Sequence, residues 1–268
     1  MLHLHTQFNQ EIPYDTIDMD FMNENQSAHG GREFGHIFTR MGIERKIVVG
    51  HWSDQKVQEK IASWMRTAVG VIESSHVRVM RVADNMRNVA VTDGDKVEAQ
   101  IRFGWEVDAY PVNEIAQAVE DVKEGEVNAL VDEYYDKYDI LLEGRDPEEF
   151  KKHVAVQARM EIGFERFLEE KNYQAIVTHF GDLGSLKQLP GLAIQRLMEK
   201  GYGFGAEGDW KTAAMLRIMK IMTEGMKDAK GTSLWKTIHT ILVPGKVGYF
   251  AGYICWKSVR LFQTVRSA

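Results

Sequence analysis

Residues 203–214 read Gly-Phe-Gly-Ala-Glu-Gly-Asp-Trp-Lys-Thr-Ala-Ala, and they mark the place where a short apolar strand gives way to a helix. The glycines on both sides of Glu207 let a backbone pass close to a ligand without a side-chain clash. Asp209 is placed to cap the helix that follows, so Glu207 is not needed for that task. A carboxylate at a strand end suits a metal-binding or acid–base role, but a Gly-rich turn is also typical of a solvated loop.

On either side of this stretch, short apolar runs alternate with longer amphipathic ones, which predicts an α/β fold. Ser53 is predicted to cap a helix that runs through Glu73. The stretch Asp84–Tyr110 mixes turn signals with possible short elements, and Pro111–Leu142 is predicted to be largely helical and acidic. The other predicted strands are Met1–Thr6, Lys46–Gly50, Val77–Val82 and Ala175–Thr178, and the other predicted helices are Ser27–Met41, Pro147–Lys171, Leu192–Glu199 and Trp210–Met226.

Composition narrows the class of protein. The chain has 268 residues, 44% of them hydrophobic and 27% charged, as in an ordinary globular protein with a sizeable core. A net charge of -6 without a basic stripe argues against a nucleic-acid partner. The single cysteine, Cys255, fits a reducing compartment. No apolar run approaches the ~20 residues that span a bilayer, and no secretory signal is visible. We therefore expect a cytoplasmic protein that binds no membrane.

The motif GFGAEGDWKTAA resembles the central motif of the bacterial L-arabinose isomerases. Further stretches are similar to motifs of the same family as far as Leu234: HTQFN at 5–9, DMDFMN at 18–23, NQSAHG at 25–30, DNMR at 84–87 and KQLPGL at 187–192.

The resemblance implies Rossmann-like or flavodoxin-like layers with a parallel sheet, in a truncated fucose-isomerase-like architecture. It predicts three parts: the remainder of an N-terminal α/β domain at 1–77, a central α/β domain at 78–228, and a corrupted start of a C-terminal domain at 229–268. Because relatives carry further residues ahead of the position of Met1, we expect that the start was assigned at an internal codon.

The resemblance also implies an aldose–ketose isomerase that converts L-arabinose to L-ribulose, often also D-galactose to D-tagatose. The family is thought to hold Mn²⁺ with two glutamates and two histidines, the glutamates also transferring protons. Glu207 matches the first glutamate, as metal ligand and catalytic residue. The second glutamate falls near Trp235 and Lys236, one histidine falls near Tyr253 and Ile254, and the other lies beyond Ala268.

Four positions match sugar contacts of the family: Gln26 and His29, expected to reach a site across a subunit interface, and Met86 and Phe180, expected to line the pocket. Without the resemblance, Gln26 and His29 could simply accept hydrogen bonds from the unpaired backbone N–H groups at a helix start. Met86 and Phe180 would then be core residues by default. A small sugar and further copies of the chain in a homo-oligomer are the implied partners. His3 and His5 alternate along a strand, and we interpret them as structural.

The resemblance breaks after Leu234, where the family continues approximately as MEDYTYH. Plausible codons for that segment, read one base out of frame, give Trp-Lys-Thr-Ile-His-Thr-Ile, the sequence of 235–241. The family segment HMLEVCPTV, shifted likewise, gives residues 254–262. We interpret 235–268 as frameshifted sequence that packs poorly, with a diverged C-terminal helix as the alternative.

Two hypotheses of different classes remain. The first is an incomplete L-arabinose isomerase without activity as written. The second is a non-catalytic fragment able only to associate with intact subunits. A fucose-isomerase-like activity on another sugar is a related alternative that the motifs favour less.

Overall fold

The computed structural model describes residues 1–226 and the backbone of three later strands, 237–243, 246–251 and 262–264. The chain divides into two compact units, Met1–Val69 and Gly70–Ala268. The predicted boundary at 77/78 lies eight residues from this division, and compactness alone does not define a folding domain. The three-part division therefore stays a prediction.

The first unit pairs two short parallel strands. Strand β1 (Leu2–His5) runs beside β2 (Lys46–Val49), with Leu2 opposite Lys46 and His5 opposite Val49. Between them lie helices α1 (Met19–Glu24) and α2 (Ser27–Arg40). Helix α3 (Gln55–Ser74) follows β2 and crosses the division between the units.

The prediction that Ser53 caps α3 is wrong. The Asp54 carboxylate accepts from the Lys56 backbone N–H at 2.8 Å, while the Ser53 hydroxyl lies 2.7 Å from Nδ1 of His51. Asp and Ser are both strong helix-capping residues. Because the Ser53 hydroxyl contacts the His51 ring instead, Asp54 makes the capping bond.

The second unit is built on a four-stranded parallel sheet in the order β4-β3-β6-β7. Its strands are β3 (Arg78–Val82), β4 (Glu106–Tyr110), β6 (Ala175–Thr178) and β7 (Gly203–Ala206). The remaining elements in chain order are a 3₁₀ turn (Ala90–Thr92), α4 (Lys96–Phe103), α5 (Val112–Glu120), α6 (Glu124–Lys137), β5 (Tyr138–Ile140), α7 (Pro147–Lys171), α8 (Gly191–Glu199) and α9 (Trp210–Thr223). The predicted α/β fold with a parallel sheet is confirmed.

Helices cover both faces of this sheet. Because neighbouring residues of each strand point to opposite sides, the central strands β3 and β6 contribute side chains to both cores. Met80 and Ile176 enter one core with Ile115 and Phe164, whereas Val79 and Val177 enter the other core with residues of α9. A third cluster of buried side chains joins α6 to α7. The two-sided burial explains why these strands read as continuous apolar runs.

Two sequence predictions are confirmed within this unit. The possible short elements of Asp84–Tyr110 are helix α4 and the edge strand β4. The stretch Pro111–Leu142 is largely helical, with a break between the end of α5 at Glu120 and the start of α6 at Glu124, and with a short strand at 138–140.

A charged network is buried where α6, α7 and α8 meet. The Glu161 carboxylate is fully buried, and it accepts hydrogen bonds from the Tyr134 hydroxyl at 2.5 Å and Arg196 Nε at 3.2 Å. Lys200 Nζ lies 3.0 Å from the same carboxylate. Burial next to Glu161 raises the pKa of the Tyr134 hydroxyl, which therefore stays protonated and donates.

Three short strands follow residue 226. Strands β8 (Thr237–Val243) and β9 (Lys246–Ala251) form an antiparallel hairpin, and β10 (Phe262–Thr264) pairs antiparallel with β5. The described parts of the tail thus form strands. The interpretation of the tail as a diverged C-terminal helix expected helical backbone instead.

Candidate active site

The carboxyl ends of three parallel strands meet at one edge of the sheet. Strand β3 is followed in the chain by its neighbour β4 on one side, whereas β6 and β7 lie on the other side. The chain therefore reverses its direction of winding between β3 and β6. In open α/β sheets, ligands bind outside the carboxyl ends of the strands at such a reversal. The loops after Val82, Thr178 and Ala206 accordingly form the candidate site.

Glu207 directly follows β7 and adopts a strained backbone conformation. Its φ is +59°, in the left-handed region, and Gly208 continues with a φ of +85°. A non-glycine residue in this region costs about 1–2 kcal/mol. Such strain persists where the surroundings hold it, which occurs most often at functional sites. Glu207 is half-buried.

The helix after Glu207 is capped by a different carboxylate, as predicted. Asp209 Oδ1 accepts from the Thr212 backbone N–H at 3.1 Å, and Oδ2 accepts from the Thr212 hydroxyl at 2.7 Å. Strand β7 and α9 approach closely because Gly203 and Gly205 lack side chains. A Cβ at Gly203 would lie 2.0 Å from the Ala213 carbonyl oxygen, and one at Gly205 would lie 1.9 Å from that of Asp209.

The loop after β3 supports the Glu207 turn through the backbone. The Met86 N–H donates to the Glu207 carbonyl oxygen at 3.1 Å. The Asn85 side-chain amide donates to the Gly208 carbonyl oxygen at 3.3 Å and to the Thr92 hydroxyl at 3.0 Å. Ala83, at the start of the loop, also has a positive φ, of +65°. Two strained non-glycine residues thus lie at the same edge of the sheet.

Arg81 anchors this loop from within the sheet. It is 8% exposed, and its Nη1 lies 2.9 Å from Asp84 and also donates to Asn85 Oδ1. Its Nε is buried and has no hydrogen-bond partner in the structure. The sequence analysis missed both Arg81 and Asn85 as site residues. For Arg81, the available signal was a charged side chain between apolar residues of the strand RVMRV, which also holds Arg78 at its start.

The predicted site residues fall into two groups. Glu207 and the half-buried Met86 are joined by a backbone hydrogen bond, and Phe180 follows β6 at the same sheet edge with 51% of its surface exposed. Phe180 is therefore not a core residue. Gln26 and His29 lie in the first unit, at the start of α2, and both are exposed. The Gln26 side chain does not cap this helix, so the helix-start interpretation fails for it.

The described residues do not supply a complete metal site. Within the searched parts of the chain, no three His, Cys, Asp or Glu side chains converge as metal ligands would. Of the metal-ligand positions that the resemblance implies, Glu207 is the one that falls within the described residues. The positions near Trp235 and Lys236, and near Tyr253 and Ile254, lie outside the described residues. His3 is nearly buried against Phe34, at 5.1 Å between ring centres, and burial lowers its pKa below 6.5.

None of the described helices combines the length and the apolar character that crossing a membrane requires.

Comparisons with known proteins give consistent results along the chain. Residues 1–76 match the L-arabinose isomerase N-terminal domain, and residues 78–225 match the L-arabinose isomerase central domain. An L-arabinose isomerase of Geobacillus thermodenitrificans is 55% identical over 91% of this chain and 49% of its own length. That of Geobacillus stearothermophilus is 56% identical over the same shares, and that of Clostridium beijerinckii is 56% identical over 87% and 46%. The chain spans about half the length of the curated relatives it matches.

Proposed function

Because the chain belongs to the L-arabinose isomerase family, we propose that it carries part of the site at which L-arabinose is converted to L-ribulose. The observation that carries this proposal is the Glu207 turn. A carboxylate is held in a strained, half-buried position at the carboxyl edge of a parallel sheet. D-Galactose, converted to D-tagatose, is the second substrate that we propose for the intact enzyme.

The proposed role of Glu207 is proton transfer. Conversion of an aldose to a ketose removes the proton on C2, returns a proton to C1, and moves the O2 hydroxyl proton to O1, so no atom is gained or lost. One carboxylate that alternates between its base and acid forms can serve both carbon positions. The Met86 backbone N–H and the Asn85 side-chain amide donate to the carbonyl oxygens of Glu207 and Gly208, which holds the backbone of the turn that carries the carboxylate.

Mn²⁺ is the cofactor that we propose for the intact site, because carboxylate and imidazole ligands suit this ion. Glu207 would be one of its ligands. The described residues do not complete the site.

We propose that the chain as it stands has no isomerase turnover. The test measures L-ribulose formed from L-arabinose with added Mn²⁺, beside a Glu207→Ala control. Equal background in both supports the proposal, whereas turnover above the control refutes it.

A chimera tests the function itself. In the chimera, residues 1–225 of this chain replace the corresponding segment of the Geobacillus stearothermophilus enzyme. All other segments are those of that enzyme. We expect the chimera to form L-ribulose and its Glu207→Gln variant to lose this activity while keeping its fold. Glu143→Gln is the matched control, because Glu143 is an exposed glutamate that also has a positive φ. A fully active Glu207→Gln chimera would contradict the proposed role.

The second candidate is association with intact subunits. Phe34, Ile37 and Met41 follow one another at helical spacing along α2 and are 39%, 54% and 62% exposed. Apolar groups exposed in this way favour an interface. Co-purification of the tagged chain with a full-length relative, lost on Ile37→Glu, supports this alternative.

We also propose that residues 235–268 are read out of frame. Sequencing of the source DNA across these codons tests it. A corrected frame that encodes MEDYTYH and HMLEVCP supports the proposal, and an unchanged sequence refutes a sequencing error.

A further inference from the structure

A cavity of about 380 Å³ lies between helices α5 and α7 and the loop that connects β6 to α8. Apolar side chains form its floor, and its lining also includes three charged residues, Glu120, Arg159 and Lys187. We propose that this cavity binds a free aliphatic α-amino acid, whose side chain packs on the floor while its ammonium and carboxylate groups face Glu120 and Lys187. The inference rests on the cavity and not on the proposed function, because Glu207 is not part of the lining.

The floor of the cavity is continuous with the main core of the second unit. Ala116 and Val119 of α5 and Met160 of α7 are buried. Val156 and Leu186 are half-buried against the cluster that contains Val119 and Met160. An aliphatic side chain on this floor would gain stability because its apolar surface leaves water. The volume lies at the small end of the roughly 300–1,000 Å³ of ordinary ligand pockets, which favours a compact ligand.

The walls of the cavity are held by contacts within the protein. A Cβ at Gly163 would lie 2.6 Å from Val119 Cα, so α5 and α7 approach each other closely. Gln157 is buried, and its Nε2 donates to the Leu189 carbonyl oxygen at 2.9 Å. Its Oε1 accepts from two backbone N–H groups at the start of α8, at 3.1 and 3.3 Å. The KQLPGL motif, which begins with Lys187, is therefore anchored on α7 beside the cavity.

The charged groups of the lining differ in how they are neutralised. Arg159 is paired, because its guanidinium contacts the Glu124 carboxylate. The Ser185 hydroxyl donates to Glu120 Oε1 at 3.4 Å, which leaves the charge of that carboxylate uncompensated. Within the part of the chain that the structure describes, neither Glu120 nor Lys187 forms an ion pair. One negative and one positive group thus remain for a ligand that carries both charges.

This pair of charges selects a zwitterion. A simple carboxylate would be attracted by Lys187 and repelled by Glu120, and a simple amine would meet the reverse. An α-amino acid carries both charges on one carbon atom, next to its side chain, so it can satisfy both groups at once. A sugar is disfavoured, because the apolar floor would take water from its hydroxyl groups without replacing their hydrogen bonds.

The test is a ligand-observed NMR titration of the full chain with L-leucine and three analogues. The analogue 4-methylpentanoate lacks the ammonium group, 3-methylbutylamine lacks the carboxylate, and glycine lacks the aliphatic chain. We expect saturable binding of L-leucine, with a dissociation constant about three- to tenfold below that of either single-charge analogue. We expect no saturable binding of glycine.

Two variants assign each charge of the ligand to its partner. Lys187→Gln should weaken L-leucine binding about three- to tenfold without weakening 3-methylbutylamine. Glu120→Gln should weaken L-leucine to a similar extent without weakening 4-methylpentanoate. A general loss of structure would weaken every ligand in both variants, so this crossed pattern is specific to the proposed contacts.

Control variants separate this site from others. Lys152→Gln on α7 and Glu114→Gln on α5 change exposed residues outside the lining and should leave the affinity for L-leucine unchanged. Glu207→Gln should also leave it unchanged, so the test is independent of the proposed isomerase role. The inference is overturned if L-leucine gives no saturable signal, if either single-charge analogue binds as tightly, or if folded Lys187→Gln and Glu120→Gln bind L-leucine like the parent chain.

Discussion

The left-handed backbone at Glu207 makes a specific prediction about stability. Replacing Glu207 by Gly and by Ala removes the carboxylate in both cases, so the difference between the two variants isolates the backbone conformation. At a φ of +59°, Ala bears the steric cost that Gly avoids. We predict that Glu207→Gly is more stable than Glu207→Ala.

The magnitude follows from two opposing effects. The left-handed conformation costs a residue with a Cβ about 1–2 kcal/mol. Gly has more freedom in the unfolded chain, which offsets about 0.4–1 kcal/mol of this. The expected difference in the free energy of unfolding is thus about 1 kcal/mol in favour of Gly. In a protein of this size it corresponds to about 2–4 °C in the midpoint of thermal unfolding.

The assay is urea unfolding followed by circular dichroism, with two control pairs. Glu143 has a φ of +49° and is also followed by a glycine with positive φ, so its Gly and Ala variants should show the same order. Asn128 is exposed on α6, where Gly should instead be less stable than Ala by about 0.5–1 kcal/mol. If Glu207→Ala equals or exceeds Glu207→Gly while both control pairs behave as expected, Glu207 is not strained and the argument from strain to site fails.

Three further predictions concern other parts of the fold. Asp209→Ala should lower the free energy of unfolding by about 1 kcal/mol. Asp209→Asn should lower it by much less, since Asn can still cap α9. Equal losses of the two variants in urea unfolding would contradict the capping role. Glu161→Gln should destabilise by about 1–3 kcal/mol, because a neutral amide replaces the buried acceptor of Tyr134 and Arg196 while Arg196 keeps its ion pair with Glu133, and an unchanged denaturation midpoint would exclude this network as a stabilising element. Burial, and then Arg45 and His5 beside it, lowers the pKa of His3, so the contribution of His3 to stability should fall as the pH drops below 6.5. His3→Gln should remove this contribution in unfolding measured against pH.

The sign of the last prediction follows from proton counting. Because the pKa of His3 is lower in the folded chain, the unfolded state binds more protons between that value and 6.5. Stability therefore rises with pH across this window.

Local chemistry predicted the strands, the long helices and the Asp209 cap, because each depends on residues close in sequence. The period of the apolar residues was enough for α7, which has Asp146 at its start and Asn172 at its left-handed end. The same reasoning was wrong at Ser53, where two neighbouring residues can both cap. It placed β4 only within a stretch of possible short elements, because the largely exposed residues of this edge strand form no continuous apolar run.

The site was only partly predictable for a physical reason. Glu207 stands out because a lone carboxylate lies among glycines. Asn85 stands out only once β3 and β7 are known to end at the same edge, since its bond to Gly208 joins residues 123 positions apart. The contacts of Arg81 with Asp84 and Asn85 are local, but their place at the site depends on the same sheet order. The exposure of Phe180 likewise depends on which strands neighbour β6, and no local pattern contains that information.

The close seating of α9 on β7 has a practical consequence. Since the helix rests on Gly203 and Gly205 through backbone atoms, no compressible layer of side chains separates the two elements. A tilt of the helix should therefore move β7 and the backbone of the Glu207 turn with it. A spectroscopic probe attached at Met215, which is 47% exposed on the outer face of α9, would therefore report motion of the carboxylate from a distance.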